Sequence, residues 1–155
     1  MILHRIAPAL VLSLTLSLSG GTAMAADLIH KISPHSVSVT IDRLAAAVEG
    51  AGAKVFARVD HAAGAESVGE ELRPTQMLMF GNPKLGSPAM QAAQTSGLDL
   101  PLRVLAYADA EGVVHVVYHD PAELAATHGI APDAEVIAKM TGALGKLTDK
   151  AVASE

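Results

Sequence analysis

The sequence predicts an α+β fold in which a mostly antiparallel sheet is covered by helices on one face, in the order strand, helix, four strands, helices. Three observations predict it. A single helical stripe lies between the first two strand-like stretches, two later apolar runs are separated only by Ala110-Glu111-Gly112, and the chain closes on helical periodicity. Half of the residues are hydrophobic but only 3% are aromatic, which gives an aliphatic core suited to a sheet and its covering helices.

Each element has its own warrant. Leu28-Ile29-His30-Lys31-Ile32-Ser33, stopped by Pro34, reads as the first strand. From Val37 the positions Ile41, Leu44 and Val48 recur at spacings of four, three and four, and Gly50-Ala51-Gly52 ends the helix they predict. The alternation of Val37, Val39 and Ile41 leaves its first turn open to a strand reading. Lys54 to Asp60 alternates, with Val55, Ala57 and Val59 opposite Lys54, Phe56 and Arg58, and predicts a second strand ending in Asp60-His61. Ala62 to Thr75 is a connection with at most one helical turn. Gln76 to Gly81 is almost wholly apolar and predicts a central strand. After the breakers from Asn82-Pro83 onward, Ser87-Pro88 has the chemistry to open a short helix that closes near Gly97. Pro101 to Asp109 and Val113 to His119 predict an antiparallel hairpin. Asp120-Pro121-Ala122-Glu123 is a helix start, Gly129 its stop, and a final helix from Asp133 places Val136, Ile137, Met140, Leu144 and Leu147 on one stripe.

The 155 residues are one domain's worth of chain once a targeting segment is subtracted. Met1 to Ala25 has the pattern of an export signal: His4 and Arg5, an uncharged apolar run from Ile6 to Leu18, and the A-x-A site Ala23-Met24-Ala25. Cleavage before Ala26 leaves residues 26–155 as a single domain in the periplasm or outside the cell. The apolar run is shorter than the about 20 residues of a spanning helix, which disfavours an uncleaved anchor and predicts no stable membrane insertion. A net charge of −5 with two Phe, two Tyr and no Trp argues against nucleic acid as a partner. No cysteine is present, so disulfides, thiolate metal sites and a cysteine nucleophile are excluded together.

Several short motifs in order resemble the domain of unknown function 302 family. They are Val59-Asp60-His61, Leu72-Arg73-Pro74-Thr75, Met79-Phe80-Gly81-Asn82-Pro83-Lys84, Gly86-Ser87-Pro88-Ala89-Met90-Gln91, Asp99-Leu100-Pro101-Leu102 and Tyr118-His119-Asp120-Pro121. The resemblance implies a TATA-binding-protein-like fold and a homodimer. It implies no activity, because none is established for the family and fold alone does not specify one.

Among residues able to carry chemistry, His61 stands first: it ends a strand beside Asp60, and a carboxylate can orient an imidazole as a base or as a metal ligand. His115 and His119 share a strand face but lie about 13 Å apart, too far to chelate one ion. His128 falls in the last turn of a helix, where capping is the default role. Arg73 could clamp an anion, and the helix start at Ser87-Pro88 with Lys84 nearby could contact one. Gly81 to Ser87 lacks either phosphate-loop motif, and no G-x-S-x-G occurs. Met77, Met79 and Met90 with His61 could form a soft copper site, although methionine is also ordinary core filler. No cofactor is specified.

The reading that follows is a non-catalytic exported homodimer holding a small, partly apolar ligand between sheet and helices. His61, Arg73, Asn82 and Tyr118 would gather at one rim to orient that ligand, with Lys84 and Ser87 as an anion contact. The alternatives are an enzyme in which His61, helped by Asp60 or Glu71, is a general base or metal anchor, and a structural subunit whose product is the dimer surface.

Overall fold

The computed structural model describes residues 28–154. The predicted export signal lies outside them. Five strands, β1 (Leu28–Ser33), β2 (Lys54–Asp60), β3 (Thr75–Gly81), β4 (Leu102–Ala108) and β5 (Val114–His119), form one sheet in the order β1-β5-β4-β3-β2. Every pairing is antiparallel. β3 is an interior strand, as its apolar run predicts, while β4 occupies the centre.

The edge strands β1 and β2 therefore run in the same direction on opposite sides of the sheet, and α1 (Val37–Gly50) must cross its width. Fourteen residues at 1.5 Å rise make about 21 Å of helix, against about 19 Å for four strand spacings. The helix starts where Ser36 accepts from the Val39 amide, which settles the open first turn in favour of helix. Its stripe Val37, Ile41, Leu44 and Val48 is buried with Leu78, Phe80, Val104, Ala106, Val114, Val116 and Tyr118 of the sheet, and with Leu144, Leu147 and Ala151 of α5 (Glu135–Val152).

Two cations close the edges of this covered face. Lys31 on β1 donates to the Gly145 carbonyl, Thr148 and Asp149 on α5, and Arg58 on β2 reaches Asp42 and Ser38 on α1. Arg43 caps the end of α5 through the carbonyls of Ala151 and Ala153.

The remaining helices are α2 (His61–Glu66), α3 (Pro83–Ala92) and α4 (Pro121–His128), with a 3-10 turn at Gln94–Leu98. A second cluster joins Ala89 of α3, Leu124 and Ala125 of α4, Ile130, and Ile137 and Met140 of α5. The opposite sheet face carries Ile32, Val59, Met77, Met79, Leu105 and Val117, interspersed with His30, Arg103, Tyr107, His115 and His119. Those apolar residues belong to neither cluster, and Ile32 is 55% exposed.

Three local expectations are corrected. The third helix opens at Asn82-Pro83, with the Asn82 side chain accepting from the Lys84 amide, so Ser87-Pro88 lies inside it. The chain needs a cap as soon as β3 ends, and Asn82 supplies one five residues earlier. A register shift between Val55 and Ala57 puts Val55 opposite buried Phe80 and Ala57 opposite Met79, so the three alternating residues of β2 do not share a face. His61 does not end β2 but begins α2, where Asp60 accepts from the Ala63 amide.

Candidate functional site

Two clefts flank the segment Asp99 to Arg103, and Leu102 lines both. The first, about 330 Å³, opens between the end of β3, α3 and Met140 of α5. Its lining is mostly apolar: Phe56, Leu85, Met90, Leu100, Leu102 and Met140. The irregularity in β2 sets Phe56 out of the ladder and leaves it half-exposed at the cleft. Gly81 lies between two of the cleft's walls, where a Cβ would meet the Phe56 ring at 3.5 Å and Pro101 at 3.7 Å in ordinary van der Waals contact. The polar members are Asn82 and Ser87. Asn82 is committed to structure, because Oδ1 accepts from the Lys84 amide and Nδ2 donates to the Gly52 carbonyl. The Ser87 hydroxyl has no hydrogen-bond partner among the described residues.

The second cleft, about 310 Å³, lies where β4 begins, β5 ends and α4 starts. Arg103, His119, Asp99, Asp120 and Glu123 face it over a floor of Leu102, Pro121 and Leu124. Arg103 donates to Asp99 Oδ1 at 3.2 Å, and His119 Nδ1 lies 3.2 Å from Glu123 Oε2. Behind them the His128 side chain is 6% exposed, with Nε2 at 2.7 Å from Asp99 Oδ2 and Nδ1 at 3.0 Å from Thr95 Oγ1. This replaces the capping role expected of His128: the imidazole ties α4 to the 3-10 turn, and Gly129, in the left-handed region, ends the helix.

Hydroxyl, imidazole and carboxylate in sequence have the connectivity of a hydrolytic triad. The cleft opens onto Asp99, however, and neither Thr95 nor His128 lines it. Thr95 is exposed and lies outside the cleft, so the array reads as a clamp on Asp99.

The structure does not bring the sequence-predicted residues together. His61 and Arg73 belong to the end of the sheet where β2 ends and β3 begins, and Asn82, Lys84 and Ser87 to the other, about 20 Å away along β3. Tyr118 is buried on the helix-covered face. The gathering at one rim is thus corrected. His61 is exposed, and both oxygens of Asp60 are taken by the Ala63 amide and Gln76, so Asp60 does not orient it. Arg73 donates to the Ala108 carbonyl and lines a broad groove with Glu66, Glu70 and Glu71, whose carboxylates oppose an anion. Ser87 loses the helix-start geometry that suggested an anion contact, and the amide of Lys84, in the first turn of α3, is already taken by Asn82 Oδ1. Met77 and Met79 share the open face, whereas Met90 lies beside Gly86 and Gly97. Among the described residues no three His, Cys, Asp or Glu side chains are placed to hold a metal ion.

Sequence reasoning missed the second cleft. Asp99, Arg103, His119, Glu123 and His128 come from three elements and a loop, and only the spacings of four between Asp99 and Arg103 and between His119 and Glu123 hinted at pairs.

The family model described as Domain of unknown function DUF302 matches residues 29–147. Two relatives, Fluoride-specific ion channel FluC 1 of Brucella suis biovar 1 and of Brucella abortus biovar 1, are each 47% identical over 112 residues. That segment is 71% of this chain but 44% and 42% of theirs, so the chain spans less than half the length of these relatives. A crystal structure of an uncharacterized conserved DUF302 protein from Bacillus stearothermophilus superposes with a TM-score of 0.73 at 19% identity, covering 82% of this chain and 99% of that one. It shares the fold.

Proposed function

The chain belongs to the family Domain of unknown function DUF302, and from that premise we propose that it is an exported, non-catalytic domain that pairs with a second copy of itself and holds a small, partly apolar ligand. The apolar cleft carries the ligand reading. Its volume of about 330 Å³ suits a small molecule, its walls are aliphatic and aromatic, and the Ser87 hydroxyl is available to orient a polar group. Export rests on the pattern of Met1 to Ala25.

Native mass spectrometry of the mature protein is expected to show a small molecule released on denaturation, and a metabolite panel to raise the Tm. Gly86→Leu should remain folded, since a Cβ there meets only Met90 at 3.9 Å and Leu100 at 4.0 Å, and should lose the ligand by filling the cleft. A protein with no released molecule and no thermal shift overturns the reading.

Pairing is supported by the open sheet face. Ile32, Val59, Met77, Met79 and Leu105 lie on it outside both core clusters, and Ile32 is 55% exposed, as apolar side chains at an interaction surface are. Light scattering tests it, and a monomer at micromolar concentration removes it.

The relatives favour a second reading. More than half of each FluC protein lies outside the matched segment, and no helix among the described residues here is long and apolar enough to cross a membrane. The domain is then the counterpart of the non-channel portion of those relatives and serves a fluoride-conducting membrane protein. Deleting its gene should lower fluoride tolerance in the host; unchanged growth across a fluoride series rejects this second reading and leaves the ligand reading standing.

A further inference from the structure

We propose that the charged cleft at the start of α4 is a separate binding site for a small zwitterion of the aliphatic α-amino-acid class. The argument begins with Arg103. A guanidinium has five N–H donors, and the Arg103 side chain, 42% exposed, directs one terminal nitrogen to Asp99 Oδ1. Its other donors have no partner among the described residues and form a fork suited to a carboxylate.

Arg103 is held where it can do this. Asp99 Oδ2 is taken by the buried His128 imidazole, which is itself fixed by Thr95, so the carboxylate that anchors Arg103 cannot swing away. Across the cleft, Glu123 Oε2 faces His119 Nδ1, and its second oxygen is unpartnered among the described residues. Asp120 Oδ1 caps α4 through the Ala122 amide, and its other oxygen is likewise unpartnered. These carboxylate oxygens accept from an ammonium group.

The charge balance selects the ligand. The carboxylates of Asp99, Asp120 and Glu123 outnumber the Arg103 guanidinium and the His119 imidazole that line the cleft with them, so a simple anion meets an excess of negative groups. A simple cation leaves the Arg103 fork unused. A molecule bearing both charges a few bonds apart satisfies both walls, and Leu102, Pro121 and Leu124 receive an aliphatic side chain.

The test is calorimetric titration of the full mature protein with L-leucine, 4-methylpentanoate and 3-methylbutylamine, three probes that share an aliphatic tail and differ in charge. Leucine is expected to bind at least about tenfold more tightly than either single-charge probe. Arg103→Gln should weaken leucine about tenfold and leave the amine unaffected, whereas Glu123→Gln should weaken leucine and the amine and leave the carboxylate unaffected. Those opposite patterns cannot arise from general unfolding. Gly86→Leu should bind leucine like the parent, which separates this site from the apolar cleft. No leucine heat at about 10 mM, equal binding of either single-charge probe, or an unchanged Arg103→Gln variant overturns the proposal.

Discussion

Asp109 shows how much one side chain can organise. At the tip of the β4–β5 hairpin its Oδ1 accepts from the Glu111 and Val113 amides while Oδ2 lies 2.7 Å from His115 Nε2, and His115 stacks on Tyr107 at 5.0 Å. The His115 hydrogen bond, assisted by the two amides and opposed by desolvation, holds the Asp109 carboxyl below its ordinary range. A depressed carboxylate pKa contributes stability above the unfolded value and loses it as the pH falls through the folded one. Asp109→Asn should therefore lower the Tm at neutral pH, with the gap to the parent closing below about pH 3.8. Thermal unfolding across that range checks it, and a gap independent of pH would show that titration of Asp109 plays no part. The tight turn was legible in Ala110-Glu111-Gly112, where Gly112 has φ +80°. The His115 and His128 partnerships were not, because an imidazole's partner depends on which loop folds against it. Thr95 and Asp99 lie 33 and 29 residues from His128.

Among the elements, α3 illustrates a choice the sequence left open. Asn82-Pro83 and Ser87-Pro88 offer the same cap-then-proline chemistry, and reading the second put the helix start five residues late. The first prevails where β3 has just ended, with Asn82 also bound to the Gly52 carbonyl. Pro88 then sits inside the helix and removes the amide that would bond the Lys84 carbonyl. Asn82→Ala should cost about 1 kcal/mol, and Ser87→Ala no more than about 0.5 kcal/mol, in urea unfolding. Equal losses would return the cap to Ser87. By contrast α4 was fully legible, because Asp120, Pro121, Glu123 and Gly129 each supply a distinct local signal and none competes.

Across the whole molecule, the two faces of the sheet have different duties, and adjacent residues of β3 separate them. Leu78 is 1% exposed beneath the helices, while Met79 looks out from the open face. Leu78→Ala should cost about 2–5 kcal/mol through the cavity it leaves without changing the mass in solution. Met79→Glu should leave stability within about 1 kcal/mol and, since the open face is the one proposed to pair two copies, lower the mass in solution from that of a dimer to that of a monomer by light scattering. If Met79→Glu remains a dimer, the open face is not where two copies meet. The sequence by itself determined the α+β order, all five strands, the helical stripes and the family, because these follow from periodicity, caps and turns that act over a few residues. Only the tertiary structure decided which sheet face is covered, that His61 and Arg73 lie far from Asn82 and Ser87, and that Asp99, Arg103, His119, Glu123 and His128 share one neighbourhood. Local rules fix the direction in which a side chain leaves the backbone. Its neighbours are fixed by strand order and helix placement, which bring distant parts of the chain together.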